Sequence, residues 1–124
     1  MATLNMKGPY PLTAAEIDKQ VTGAGAGNFA LVDRDSEGYI RVCYVGRADA
    51  DLNEELHHWI GRTRRPFFKF SFAASPQLAF EKECEAYHNF MPNDNRAHPT
   101  APAKTVWNCP RCSKTEAQGF GRPR

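Results

Sequence analysis

Two short apolar runs, residues 28–33 and 39–45, flank the polar stretch Arg34-Asp35-Ser36-Glu37-Gly38. Strand-length runs around a short connection containing glycine predict an antiparallel hairpin. Within the second strand a period of two places Ile40, Val42 and Tyr44 on one face and Arg41, Cys43 and Val45 on the other. Helical spacing takes over across residues 51–60, where Leu52, Leu56, Trp59 and Ile60 share one side. Residues 67–72 predict a third strand. Ser75-Pro76 then reads as an N-cap followed by proline at the first helical position, opening a helix that runs to about Phe90. Leu78, Ala79, Ala86, Tyr87 and Phe90 supply its packing surface. Ahead of the hairpin, Thr13-Ala14-Ala15-Glu16 has the form of a capping box, in which threonine and glutamate satisfy each other's backbone N–H groups. It opens a short helix to about Val21, stopped by the glycine–alanine run at 22–27. Beyond Met91 prolines and asparagines dominate, and irregular structure is expected. A hairpin mixed with flanking helices predicts an α+β domain with a small three-stranded antiparallel sheet.

At 124 residues, 41% of them hydrophobic, the chain supports a single modest core. Four stretches follow from the pattern: a helical lead-in at 1–25, the main domain at 26–95, a cysteine-bearing segment at 96–116 and a flexible basic tail at 117–124. No run nears the roughly 18 apolar residues of a membrane span. Residues 1–10 carry one lysine and no apolar core of a secretory signal, so a cytoplasmic location is expected, with no membrane partner. The net charge of +2 is unevenly spread. Between Gly61 and Phe80 lie four bases, Arg62, Arg64, Arg65 and Lys69, and no acid. Acids gather instead at Asp49, Asp51, Glu54 and Glu55, and again at Glu81, Glu83 and Glu85. Bases beside a helix rich in carboxylates suit a polyanion approaching a metal ion, and equally suit solvated loops.

The cysteines change the picture more. Four of them in a chain without a secretory signal are thiols or metal ligands before they are disulfides. Cys109-Pro110-Arg111-Cys112 is a Cys-x-x-Cys knuckle, whose tight turn lets two thiolates meet one ion. A structural zinc site needs two more ligands. Cys84 and His88 lie four apart on the last predicted helix, on one face. The predicted set is Cys84, His88, Cys109 and Cys112, with His98 as the rival fourth ligand, and zinc is expected to be structural. Cys43, inside a strand, reads as core. A redox role for the knuckle fits poorly, because no strand precedes it and no helix follows.

Three segments together resemble the GIY-YIG nuclease superfamily. Gly27-Asn28-Phe29 stands where that family places its first signature, and Tyr44-Val45-Gly46 matches the second, with Arg47 where a base often follows. Ala79-Phe80-Glu81-Lys82-Glu83, continuing through Met91-Pro92 to Asn95, is similar to the family's catalytic helix and closing asparagine. The resemblance covers about residues 26–95. It implies metal-dependent cleavage of nucleic-acid phosphodiesters, DNA foremost. It also implies a site of Tyr44, Arg47, Glu83 and Asn95, with magnesium or manganese held by Glu83. Arg62, Arg64, Arg65 and Lys69 are the expected contacts to nucleic acid. The chemistry is coherent. A divalent ion on one carboxylate supplies charge neutralisation, a phenol positions water, and a guanidinium faces the phosphate oxygens.

Two positions depart from the family pattern. Phe29 lacks the hydroxyl of the first signature tyrosine, and Glu55, beside Leu56, stands where the family places a helix arginine. An anion in place of a phosphate-binding cation keeps a second reading open, that of a catalytically inactive, zinc-stabilised module binding nucleic acid or a protein partner.

Overall fold

The computed structural model describes residues 3–112; the expected basic tail at 117–124 and the end of the cysteine-bearing segment lie outside the described residues. Among them the chain forms β1 (Lys7–Pro11), α1 (Ala14–Gln20), β2 (Gly27–Arg34), β3 (Ile40–Ala48), α2 (Leu52–Trp59), β4 (Phe67–Phe72) and α3 (Pro76–Phe90). The α+β class stands, but the sheet has four strands in the order β1-β4-β2-β3, every pairing antiparallel. The extra strand is β1, so residues 1–25 do more than lead in. Lys7-Gly8-Pro9-Tyr10-Pro11 carries two prolines and no apolar alternation, which hides it as a strand. An edge position tolerates proline, since one side of the strand needs no ladder partner.

The three expected helix starts hold. Thr13 accepts from the Glu16 N–H at 3.1 Å, Asp51 from Glu54 at 3.2 Å and Ser75 from Leu78 at 3.1 Å. The capping box is half made, because the Glu16 carboxylate accepts from Gln20 at 2.8 Å instead of reaching back. Helix α3 ends at Met91, in the left-handed conformation with φ of 45°, and the following Pro92 cannot extend it.

The sheet buries both faces. Ile17 of α1 and Leu52 and Leu56 of α2 pack with Phe29, Leu31, Phe68 and Phe70 on one side. On the other, Ala86, Tyr87 and Phe90 of α3 pack against Ala30, Val32, Val45 and Val42. Strand β3 does not keep one alternation throughout. Leu31 pairs with Tyr44 but Val32 pairs with Val42, leaving Cys43 as an extra residue. This bulge moves Tyr44 to the α1/α2 face while Ile40 and Val42 stay with α3, so these three residues do not share a face as their spacing predicts.

Two glycines permit close approach. A Cβ on Gly27 would lie 2.6 Å from the Ser71 carbonyl oxygen, and one on Gly46 would lie 2.6 Å from the Phe29 ring. Phe29 is buried in the core and cannot retreat. Overpacking of this kind costs about 1–3 kcal/mol. Gly46→Ala is therefore expected to lower the melting temperature by several degrees in a thermal unfolding experiment, whereas Phe29→Leu combined with it restores part of the loss.

Candidate functional site

Strand β3 is an edge of the sheet, and an open cleft of about 1100 Å³ lies along that edge. Helix α2 contributes Glu55 and Trp59 from one face of the sheet, and α3 contributes Glu83 from the other. Tyr44 and Arg47 come from β3 itself. Residues 93–100 form the outer wall. This wall is stitched to the strand: the Asp94 N–H donates to the Cys43 carbonyl at 2.8 Å. Asn95 accepts from the Val45 N–H at 2.9 Å and donates to the Val45 carbonyl at 3.0 Å. One asparagine side chain thus imitates a strand neighbour and satisfies backbone groups that an edge would leave open.

Inside the cleft Arg47 is the hub. Its Nη1 donates to Glu83 at 2.6 Å and its Nε to Asp49 at 2.8 Å, while the guanidinium lies over the Phe80 ring at 5.3 Å. Only 13% of Arg47 and 10% of the Glu83 side chain stay exposed, so this is a largely desolvated pair. Burial pushes the Glu83 carboxyl up to about 7, against the opposing pull of Arg47. Burial likewise raises the Tyr44 phenol, and the charges of Glu83 and Glu55 add to the rise. Tyr44 therefore holds its proton at neutral pH and offers a donor. Its ring lies 4.7 Å from Trp59 and 6.0 Å from Phe29, centroid to centroid.

Tyr44, Arg47, Glu83 and Asn95, expected together, all line the cleft, and so does Glu55. Asn95 commits both polar atoms to Val45, which makes it a positioning residue for the wall. Of the expected polyanion contacts, Arg62 and Arg64 are exposed at the cleft. Arg65 is already engaged: it donates to Asp94 at 2.8 and 2.9 Å and to Asp33 at 3.0 Å. Lys69, on β4, pairs across to Ala30 of β2 and does not line the cleft. Arg96, Asp49 and Trp59 line it without having been singled out as site residues. Trp59 reads in sequence as one more apolar position of α2, and Arg96 as the first residue of the cysteine-bearing segment.

A second cluster adjoins the wall. His88, His98, Cys109 and Cys112 bring their ligand atoms within 4.8 Å of one another and could hold a metal ion. His88 Nε2 lies 3.2 Å from His98 Nε2, and the latter lies 3.3 Å from Cys112 Sγ. Bond lengths of about 2.0–2.3 Å in a tetrahedron put ligand atoms roughly 3.3–3.8 Å apart, so the donors stand near the edges of such a site. The Nδ1 of His98 lies 2.7 Å from the Pro99 carbonyl, which can only accept; Nδ1 carries the proton and Nε2 presents its lone pair. The Arg111 N–H donates to Cys109 Sγ at 3.4 Å. Arg111 also reaches Asn89 and, at 3.5 Å, Glu85, which pins the knuckle to α3.

Of the expected set, His88, Cys109 and Cys112 belong to this cluster, together with the rival ligand His98, while Cys84 lies outside it. Spacing of four on α3 does put Cys84 and His88 near one face, and Cys84 is fully buried in a small core with Phe80, Ala101 and Cys109, its thiol beside that of Cys109. Burial pushes its thiol well above the ordinary range, and the neighbouring Cys109 adds to the effect. Comparison with protein-family models, with curated proteins and with solved structures finds no match to this chain.

Two outcomes follow. Metal analysis of purified protein is expected to lose the ion in His98→Ala and Cys109→Ser but keep it in Cys84→Ser; retention in His98→Ala would restore Cys84 to the set. The Arg65 network carries an acid-sensitive contribution to stability. Asp94 and Asp33 both titrate below their ordinary 3.8, Asp94 through its hydrogen bonds with Arg65 and Asp33 mainly through those with Arg41. Groups with depressed values contribute stability above the unfolded value, lost as pH falls through the folded one. Wild type should therefore lose stability more steeply than Arg65→Gln below about pH 4, as read by urea unfolding across pH.

Proposed function

We propose that the chain is a metal-dependent phosphodiesterase of the GIY-YIG type acting on nucleic acid, DNA foremost, with a structural zinc ion beside its cleft. The convergence of Tyr44, Arg47 and Glu83 carries this reading: three polar groups from distant points of the chain meet in one open cleft, with Arg62, Arg64 and Arg96 around it. Two imidazoles and two thiolates form a borderline-soft, four-donor set that suits zinc and leaves no position open for substrate.

Glu83 is the carboxylate that would hold a magnesium or manganese ion in this reading, with water as its other ligands, and Asp49 on the same guanidinium is a further hard oxygen donor nearby. When bound, such an ion supplies Lewis acidity toward the phosphate oxygens. The rest falls to the chain. Arg47 uses Nε and Nη1 on the two carboxylates and keeps its Nη2 donors for a phosphate oxygen. The protonated Tyr44 orients the attacking water, and Arg62 and Arg64 draw the strand in.

Two observations favour the inactive binding module. Glu55 lines the cleft, where its charge opposes a phosphate, and Phe29 brings a buried ring with no hydroxyl. A nicking assay on plasmid and branched DNA with added magnesium or manganese separates the two. Cleavage is expected in wild type and lost in Glu83→Ala that still melts cooperatively. A like charge about 6 Å from a phosphate costs roughly 2–3 kcal/mol at an effective dielectric near 20. Glu55→Arg should therefore speed cleavage by roughly tens-fold. Absence of cleavage in every variant, with nucleic acid still bound, would leave the binding module.

A further inference from the structure

The cleft floor is aromatic as well as charged. Trp59 ends α2, half-buried, with its ring tilted 48° to Tyr44 at 4.7 Å and 55° to Phe29 at 6.3 Å. Phe29 is sealed in the core, while Tyr44 and Trp59 are both partly exposed and line the cleft, the indole offering the larger ring. Among the described residues the Trp59 indole makes no side-chain hydrogen bond, and its ring is held by packing against the core around Phe29 and Leu56. The exposed Arg64 and Arg96 line the same cleft, and Arg62 follows three residues after Trp59, its N–H donating to the Trp59 carbonyl at 3.0 Å. An aromatic face with cations spaced around it matches a base flanked by its own phosphates.

Resting on the reading of the cleft as a nucleic-acid site, we propose that its substrate presents an unpaired nucleotide whose base stacks on Trp59 while Arg62, Arg64 and Arg96 take the adjoining phosphates. Paired bases in a duplex have both faces occupied by neighbours, so only a single-stranded, bulged or branched segment offers one. A cleft of about 1100 Å³ exceeds the usual span of small-ligand pockets and has room for a nucleotide with its flanking phosphates. Glu55 and Asp49 lie on the same floor. Their charge makes electrostatics alone a poor source of affinity, and places more of it on stacking.

The test is fluorescence-anisotropy titration of the full chain, without added magnesium or manganese, using a labelled 12-nucleotide single strand and the blunt duplex of the same sequence. The single strand should bind at least about tenfold more tightly, a gap within the range of one base–aromatic stack. Trp59→Leu, which keeps apolar packing on Tyr44, should erase that gap and leave duplex affinity unchanged, while Trp59→Phe retains most of it. With Trp107→Phe as background, single strand but not duplex should quench the remaining indole emission. Equal affinity for the two forms, or an undiminished preference in Trp59→Leu, would overturn the stacking role while leaving a nucleic-acid cleft. No binding of either form would overturn the proposed function and this inference together.

Discussion

One extra residue in β3 sets the direction of every side chain after it. Cys43 occupies the bulge between the Leu31–Tyr44 and Val32–Val42 pairs. Without it, side chains beyond that point would exchange faces, because the period of a strand is two. Tyr44 would then leave Trp59, and Arg47 would leave Glu83. The bulge is held from outside the sheet, where the Asp94 N–H takes the Cys43 carbonyl and Asn95 brackets Val45. The register of the strand and the wall of the cleft are therefore one construction. The chain has to return past α3 before the edge on which the cleft lies is complete.

Helix α3 connects the two chemical centres. Glu83 faces Arg47, the next residue Cys84 enters the small core under Trp107, and His88 reaches the metal-ligand cluster. Successive residues on a helix point about 100° apart, so one helix serves three environments without conflict. Asn28, fully buried on β2, ties in the start of the same helix, donating to the Ala79 carbonyl at 2.8 Å. Its Oδ1 meets no donor among the described residues. That cost, of the order of 1–3 kcal/mol for an unmet buried group, is borne at the junction of β2, β3 and α3.

Much of the fold was legible because it is written in local chemistry. Thr13, Asp51 and Ser75 mark helix starts whose side chains do accept the expected backbone N–H groups. Strand β1 was not legible, since Pro9 and Pro11 obscure it and its partner β4 lies nearly 60 residues on. The bulge at Cys43 also leaves no mark, because alternation cannot show an added residue that a distant loop stabilises. Tyr44, Arg47 and Glu83 were found as a group through a pattern of motifs. Arg65 shows what such patterns miss, for a basic residue in a basic loop gives no sign that Asp33 and Asp94 already engage it. The place of His98 depended on how residues 91–98 turn back, which helical spacing on α3 does not specify.

The wall at residues 93–100 has no helix or strand, yet it is tethered near both ends. Asn95 fixes one end to Val45, and His98 belongs to the cluster that could hold a metal ion. An irregular loop normally surrenders conformational entropy when a ligand orders it, at about 1–2 kcal/mol per residue for the backbone. Here the tethers place that loss within folding, and an ion held by the cluster would add a further restraint. The cleft wall is thereby preorganised, and an ion at the cluster, though outside the cleft, would govern how rigid that wall is.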